Sequence, residues 1–375
     1  MFCKIALKGR VAMLHINYFK FGLKQETRTD SLLAPSRTKN TPRDTIKLNE
    51  SMPIDQPDIL VTIGPKSEDI SSIKEISKYT KFFRLNGSHN TIDWHVNVAK
   101  SIREVCPTAM ILLDIPGIKP RTNNTKAIKI KKDETVHFSH GLKSVRGGIK
   151  QIPLTNPLPK VNTGVSSFSL SDGSHEFDLL DHTDSSVYGK SKEDFQLLPK
   201  KGLNIPASIY NDDLQIEVYL KFLEKVKKVD FDAVGLSFVQ NSESLKAVRK
   251  MFQDKLLVSK IENNLGVKNR GEITKCSDMI MIDRGDLFAE VSIKNFYKSI
   301  MDISSTTKSY GRPLIMATEN LDSMRYRLQP SKSEIIALQH SIEIGSDLLM
   351  LSDETATSGL YMNTIRWLNT FLRMH

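Results

Sequence analysis

Eight short apolar runs, each followed by an amphipathic stretch of helical length, divide most of this chain. Such an alternation is typical of βα units on a parallel sheet. Eight parallel strands with eight helices close into a barrel, and the eighth amphipathic stretch runs to the C-terminus. The sequence therefore predicts an α/β fold, a (β/α)8 barrel. The runs occupy residues 59–64, 81–87, 109–115, 232–239, 256–262, 279–285, 313–318 and 347–352.

One connection is much longer than an ordinary βα loop, because about 90 residues separate the third run from its helix. Alternating segments at 127–132, 134–140, 166–173, 176–182 and 195–206 predict a small β domain, similar to a β-barrel. Inserted at a strand's C-terminal end, it would lie above the barrel mouth as a lid. We expect the barrel at residues 57–118 and 207–375, and the lid at residues 119–206. Residues 1–56 carry turn formers and little periodicity, which predicts a poorly ordered extension.

Bulk composition excludes some classes of protein. The formal net charge is +10, but no run of basic residues interleaved with aromatics indicates a nucleic-acid surface. No stretch approaches the roughly 20 apolar residues that span a bilayer, so we expect no membrane partner. Cys3, Cys106 and Cys276 stand far apart without a CxxC motif, which argues against zinc and disulfides and favours a reducing, cytoplasmic location.

Polar side chains end nearly every apolar run. Residues at the C-terminal ends of barrel strands face the active site, so this rim predicts a catalytic centre. For any single residue, a solvated rim or an internal ion pair is an equally good interpretation, and only the convergence of many favours function. These side chains are Arg84, Asn86, Ser88, His89, Asp114, Lys260, Glu262, Arg284, Asp286, Thr318, Ser352 and Glu354.

Two of these carboxylates, Glu262 and Asp286, follow adjacent strands and suit a hard cation such as Mg²⁺. Lys260 shares their face, because strand side chains alternate with period two. A fixed cation beside a metal stabilises charge on a phosphoryl group during its transfer. The competing interpretation is a layer of ion pairs inside the barrel.

The segment DRGDLFAEV places Gly285 and the following amides where a turn can open toward a substrate carboxylate or phosphate. Neither GxxxxGK[ST] nor GxGxxG follows the early runs, which excludes the P-loop and Rossmann modes of nucleotide binding. Any nucleotide must be held in another way.

Nine ordered motifs between about residues 59 and 357 resemble pyruvate kinase. They are VTIGPKS (61–67), FRLNGSH (83–89), LLDIPGIKPRT (112–122), KKGLNIP (200–206), SFV (237–239), SKIEN (259–263), DRGDL (283–287), ATENLDSM (317–324) and MLSDETA (350–356). The resemblance implies a TIM barrel with a β lid domain. It also implies a glycolytic phosphotransferase that depends on Mg²⁺ or Mn²⁺ and acts on phosphoenolpyruvate and ADP, giving pyruvate and ATP.

The resemblance also implies a role for each matching residue. Lys260 would stabilise the transferring phosphoryl group, Arg84 and Arg121 would contact phosphates, and Thr318 would lie in the proton path. Carried over in the same way are Ser352 and Glu354 behind Thr318, the magnesium ligands Glu262 and Asp286, the carboxylate-binding turn at Arg284 and Gly285, the nucleotide-lining Pro65, His89, Trp94 and Lys201, and a potassium-type set of Asn86, Ser88 and Asp114.

Several residues depart from the family pattern. Lys119 stands where the family usually has the glutamate that accompanies bound potassium; a lysine supplies that charge itself, so we expect activity without potassium. Phe288, Glu319, Asn320 and Asp353 also differ, close to the catalytic groups. They could reshape the pocket for another enol phosphate or acceptor in a biosynthetic pathway, or be drift without functional effect.

The family's C-terminal domain, which carries the effector site and much of the tetramer interface, has no counterpart after the last predicted helix. We therefore expect no activation by sugar phosphates, and the usual tetramer is in doubt, although a homo-oligomer stays open. A non-catalytic binding homologue is the remaining alternative. It conflicts with the retention of Lys260, Glu262, Asp286 and Thr318.

Overall fold

The computed structural model describes residues 56–141 and 148–374. All of them belong to one compact unit, residues 53–375. The extension expected at residues 1–56 lies outside the described residues, apart from its last position. None of the described helices is long and apolar enough to cross a membrane.

The described chain contains sixteen strands and eleven α-helices, and strands and helices alternate along its barrel part. The strands are β1 (Asp58–Ile63), β2 (Phe82–Asn86), β3 (Met110–Ile115), β4 (Ile128–Ile130), β5 (Thr135–Ser139), β6 (Lys150–Pro153), β7 (Ser167–Leu170), β8 (His175–His182), β9 (Ser186–Ser191), β10 (Phe195–Leu197), β11 (Leu203–Asn204), β12 (Ala233–Leu236), β13 (Leu256–Lys260), β14 (Met279–Asp283), β15 (Leu314–Ala317) and β16 (Leu348–Leu351). The α-helices are α1 (Ile70–Ile76), α2 (Ile92–Val105), α3 (Asp212–Lys225), α4 (Ser242–Met251), α5 (Asn264–Lys268), α6 (Arg270–Cys276), α7 (Arg284–Val291), α8 (Ile293–Ser309), α9 (Lys332–Glu343), α10 (Asp353–Ala356) and α11 (Tyr361–Leu372), and a 3₁₀ turn spans Asp322–Arg325.

Eight strands form a closed barrel in the order β1, β2, β3, β12, β13, β14, β15, β16, with β16 paired to β1. Every neighbouring pair is parallel. The strands coincide with the eight apolar runs, so the predicted (β/α)8 barrel is confirmed. The fourth run is shorter than predicted: β12 ends at Leu236, and Phe238 beyond it has a left-handed backbone with φ of 63°.

Each strand of the barrel is buried on both sides, because alternate side chains point to opposite faces of the wall. Leu112 packs inside the barrel with Leu60 and Met350. Its neighbours Ile111 and Leu113 pack outward, in the layer between strands and helices. This double burial is why the strands read as continuous apolar runs rather than as alternating ones.

Side-chain caps fix where several helices begin. Thr91 accepts a hydrogen bond from the backbone of Trp94 at the start of α2, and Ser331 forms a capping box with Glu334 at the start of α9. Helix α7 begins at Arg284, immediately after β14. The segment expected to make a turn at Gly285 is therefore the first turn of a helix.

The segment between β3 and α3 carries the remaining eight strands. Six form one sheet in the order β11, β7, β8, β9, β5, β6, and β10 pairs with β4. This part has its own core, in which the rings of Phe138, Phe168 and Phe177 pack together. Strands β6 and β9 are additional to the segments read from the sequence. The limits of residues 119–206 for a lid domain stay a prediction.

The two ends of this inserted segment are joined by backbone hydrogen bonds, which we call the neck. The Thr122 N–H donates to the Lys201 carbonyl at 2.8 Å, and the Leu203 N–H donates to the Pro120 carbonyl at 2.9 Å. Because β3 ends at Ile115, the neck lies only a few residues beyond the C-terminal edge of the barrel. It brings residues of the inserted segment to the barrel mouth.

Candidate active site

A cavity of about 480 Å³ lies at the C-terminal ends of the barrel strands. Ser171 and Asp172, from the turn between β7 and β8, line it beside the barrel residues. Glu262 and Arg284 do not line this cavity, and both are buried. The predicted site residues that do line it are Arg84, Asn86, Ser88, Asp114, Lys119, Arg121, Lys260, Gly285, Asp286, Thr318, Ser352 and Glu354.

Lys260 is the buried cation at the centre of this group. Its Nζ lies 2.9 Å from Glu262 Oε1 and 3.4 Å from both Asp114 Oδ2 and Asp283 Oδ2. It also donates to the Ser237 hydroxyl at 3.3 Å. Burial opposes the charged form, but these carboxylates outweigh it and raise the pKa of Lys260. The side chain is therefore an ammonium at neutral pH.

Glu262 is fully buried, and its Oε2 accepts a hydrogen bond of 2.6 Å from the Phe238 backbone N–H. Burial raises the pKa of Glu262 to about 8 against the opposing charge of Lys260. Burial likewise raises the pKa of Asp286. Both shifts express the cost of holding two carboxylates close together away from water, a cost that a bound cation removes.

Asp283 joins these two carboxylates, although it is not among the predicted site residues. One oxygen from each of Glu262, Asp283 and Asp286 lies within 4.8 Å of the others. Asp283 is the last residue of β14 and lines the cavity. The signal that identified the other rim residues, a polar group at the end of an apolar run, applied to Asp283 as well.

Lys119 enters the same cluster from the start of the inserted segment. Its ammonium pairs with Asp286 and lies 2.9 Å from Asp172 Oδ1. Burial opposes the charged form, yet Asp286 and Asp172 outweigh it and raise the pKa of Lys119. The Lys119 side chain runs over Gly202, where an added Cβ would overlap it. A lysine charge thus lies directly against one candidate metal ligand.

Arg84 and Asp114 form a buried ion pair beside Lys260. Arg84 donates from Nε and Nη2 to Asp114 Oδ2 at 3.0 and 2.8 Å, and from Nη1 to the Thr62 hydroxyl at 3.1 Å. Although burial opposes it, the charges of Lys260 and Arg84 lower the pKa of Asp114. In the potassium-type set, Asn86 Oδ1 accepts from the Ser88 backbone N–H at 3.1 Å.

Thr318 lies on a left-handed turn after β15, with φ of 59°, followed by Glu319 with φ of 52°. This conformation is costly for residues other than glycine. Arg284 holds it: the guanidinium donates to the Thr318 carbonyl and, at 2.8 Å, to Asn320 Oδ1. The Thr318 hydroxyl accepts from the Gly285 N–H at 3.1 Å. Gly285 lines the cavity, whereas the Arg284 side chain is hydrogen-bonded to the turn at Thr318.

Ser352 and Glu354 line the cavity after β16, the strand that pairs with β15. The Ser352 backbone N–H donates to Glu354 Oε2 at 2.7 Å. Glu354 is 2% exposed, and burial raises its pKa. Among the described residues, the buried Ser352 hydroxyl has no hydrogen-bond partner.

The four residues assigned to the nucleotide do not line this cavity. Pro65 and His89 are exposed, while Trp94 and Lys201 are partly buried. The indole N–H of Trp94 donates to the Glu68 carboxylate. Desolvation by the surrounding protein atoms and the Arg121 charge lower the pKa of His89.

The four residues near the catalytic groups that differ from the family pattern do not all line the cavity. Glu319 and Asp353 line the cavity, so two added carboxylates face it. Asn320 is buried and donates to the Met350 carbonyl at 2.7 Å. Phe288 does not line the cavity but packs on the Phe296 ring and beside Gly173 of the inserted segment.

Comparison with known proteins agrees with this arrangement. The family model for the pyruvate kinase barrel domain matches residues 54–365. The chain is 29% identical over 83% of its length to pyruvate kinase from Encephalitozoon cuniculi, and covers 74% of that protein. It is 31% identical to the Methanocaldococcus jannaschii enzyme over 83% of its length, and 30% identical to a Staphylococcus aureus enzyme over 81%. It covers 67% and 54% of those two proteins. The chain belongs to the pyruvate kinase family.

Proposed function

We propose that the chain transfers a phosphoryl group between phosphoenolpyruvate and ADP, which gives pyruvate and ATP. The observation that carries this proposal is the Lys260 ammonium, 2.9 Å from Glu262, beside a cavity that Arg84 and Arg121 also line. Fixed cations around one cavity stabilise the charge spread over a phosphoryl group in transfer. Membership of the pyruvate kinase family supports the same reaction.

We propose Glu262 and Asp286 as ligands of a divalent ion, Mg²⁺ or Mn²⁺. Their carboxylate oxygens are the hard donors that such ions prefer. Burial raises the pKa of each carboxyl group, and a bound cation would favour the charged form against that burial, which supports the fit. When bound, the ion would neutralise charge on the phosphate and orient its oxygens.

The remaining roles follow from the hydrogen bonds of each residue. Asp114 fixes the Arg84 guanidinium at the cavity wall, where it would contact the phosphate. The Gly285 N–H, at the start of α7, would donate to the substrate carboxylate in place of the Thr318 hydroxyl that it now contacts. Thr318 would pass the proton to or from the enolate carbon, with Ser352 and Glu354 behind it.

Lys119 would take the place of a potassium ion. It carries its charge at the edge of the cavity, where it pairs with Asp286 and Asp172. We therefore propose that phosphoryl transfer proceeds at full rate without potassium. Pro65, His89, Trp94 and Lys201 would border the nucleotide outside the cavity, at the rim, where an aromatic side chain can stack on a base.

The proposal is tested with purified full-length protein, magnesium, phosphoenolpyruvate and ADP, with pyruvate detected through a coupled dehydrogenase. Replacing Lys260 with methionine should lower kcat by about 10²- to 10³-fold, the loss expected for a fixed transition-state donor. Lys298→Met on the exposed face of α8 is the matched control and should retain full turnover. Equal rates with and without potassium are expected.

A second candidate function is the same chemistry on another enol phosphate or acceptor. The observation that favours it is the pair of added carboxylates, Glu319 and Asp353, on the cavity wall. Binding of phosphoenolpyruvate without any pyruvate formation from ADP would favour this second candidate. Absence of both binding and turnover would point to a non-catalytic homologue instead.

A further inference from the structure

Asp283 is a buried carboxylate whose position neither candidate function uses. It is 8% exposed, it ends β14 and it lines the cavity. Its Oδ2 lies 3.4 Å from Lys260 Nζ, and its Oδ1 accepts from the Thr318 hydroxyl at 3.1 Å. Within the described residues, Glu262, Asp283 and Asp286 are the one group of three acidic, histidine or cysteine side chains close enough to share an ion.

The ion pairs made by Arg84, Lys119 and Lys260 carry more negative than positive charge. With every group ionised, these three cationic side chains face five carboxylates, which leaves two negative charges uncompensated among them. A divalent cation would supply the missing charge. The cations are Arg84, Lys119 and Lys260, and the carboxylates are Asp114, Asp172, Glu262, Asp283 and Asp286.

The other two carboxylates already have partners. Glu262 Oε2 accepts from the Phe238 backbone and its Oε1 lies 2.9 Å from Lys260 Nζ, and Asp286 Oδ1 pairs with Lys119. A divalent ion held by one oxygen from each would have only two protein ligands. Mg²⁺ takes six oxygens in near-octahedral geometry, so a third carboxylate within reach adds a charged protein ligand.

We propose that Asp283 is a third protein ligand of the divalent ion, so that the ion binds the free protein before any phosphate substrate. This inference rests on the proposed function for the presence of the ion. Ligand oxygens of a Mg²⁺ ion are about 4.2 Å apart across the ion and about 3.0 Å apart at adjacent positions, so the three carboxylate oxygens, which lie within 4.8 Å of one another, must approach by up to about 2 Å.

A consequence for Lys260 follows from the shared carboxylates. Its ammonium now lies among Asp114, Glu262 and Asp283. When Glu262 and Asp283 turn to the ion, Lys260 keeps Asp114 as its nearest counter-charge and has hydrogen-bond donors free for a phosphoryl oxygen. Binding of the ion thereby prepares the lysine for substrate.

The test is Mn²⁺ titration of the full chain by calorimetry, without substrates, together with the rise in Tm that Mn²⁺ produces. Asp283→Asn should weaken Mn²⁺ binding at least about tenfold. Removing a residue that only hydrogen-bonds to a metal ligand already costs about 10- to 100-fold in affinity, and loss of a ligand itself should cost no less. Asp322→Asn, which lies on the same cavity wall but outside the cluster, is the matched control with wild-type affinity expected. In EDTA, the Tm of Asp283→Asn checks that the variant folds, and a cooperative transition is expected because Lys260 keeps Glu262 at 2.9 Å and Asp114 at 3.4 Å as counter-charges.

Two results would overturn the proposal. One is wild-type Mn²⁺ affinity in Asp283→Asn alongside loss of binding in Glu262→Gln, which would leave Asp283 as a counter-charge of Lys260 only. The other is absence of Mn²⁺ binding to the wild type without substrate, even if pyruvate is formed with substrate present. Asp283-dependent binding without pyruvate formation would support the site and contradict the proposed reaction, so the two failures are distinguishable.

Discussion

Replacing Lys119 with methionine tests the pairing of charges at the barrel mouth, because methionine keeps the apolar stem and removes only the ammonium. The Lys119 side chain is 2% exposed and its partners Asp286 and Asp172 are 13% and 57% exposed. The contact with the solvated Asp172 contributes under about 1 kcal/mol. Removing one partner of a buried pair costs about 3–5 kcal/mol, and since Asp286 keeps some solvent we expect about 3 kcal/mol.

The assay is thermal unfolding in EDTA, followed by addition of Mg²⁺. At about 2 °C for each kcal/mol in a large domain, the Tm of Lys119→Met should fall by about 6 °C. Mg²⁺ should recover part of this loss, because it replaces the missing positive charge beside Asp286. Asp172→Asn is the control and should shift the Tm by no more than about 2 °C. A wild-type Tm for Lys119→Met in EDTA would refute the argument that this lysine compensates the Asp286 carboxylate.

Three further predictions concern other residues. Burial raises the pKa of Glu290 from its ordinary value of 4.5 to about 8, so the folded protein holds a proton there that the unfolded chain releases. Stability in EDTA should therefore fall as pH rises from about 5 to 8, and Glu290→Gln should flatten this fall in chemical denaturation curves. Gly202→Ala should displace the Lys119 side chain and lower the Tm as Lys119→Met does; an unchanged Tm would contradict this. Arg284→Met should release the left-handed turn at Thr318 and lower kcat about 10²-fold with little change in the KM for ADP, whereas an unchanged kcat would show that the turn holds itself.

Much of the barrel could be predicted because its strands are buried on both faces. Residues 110–115 show this, since all six side chains of β3 are buried and the run has no polar break before Asp114. The boundary between β14 and α7 could not be predicted, because no loop separates the two elements and the helix begins at Arg284, directly after the strand ends at Asp283. Strand β9 was not predicted, because one of its contacts with the core is made by a glycine. Gly189 leaves room for the Phe168 ring, and glycine adds nothing to a hydrophobic pattern.

The candidate site divides in the same way. Rim residues such as Lys260 and Thr318 could be found from their position after apolar runs, and they do line one cavity. Asp172 could not be predicted as a site residue, because only the folding of the inserted segment brings the turn that carries it to the barrel. The engagement of Arg284 with the Thr318 turn also escapes the sequence, since nothing in the letters ATEN indicates two consecutive left-handed residues.

The neck bears on how such a chain reaches its fold. Thr122 and Lys201 are 79 residues apart along the chain, yet their backbones are hydrogen-bonded. The entropy of closing a loop grows only with the logarithm of its length, so an excursion of this size adds little to the cost of assembly. Once the neck has formed, only α3 and its flanking loops separate β3 from β12 along the shortened path of the chain. Pairing them becomes a local event, and local contacts form fastest during folding.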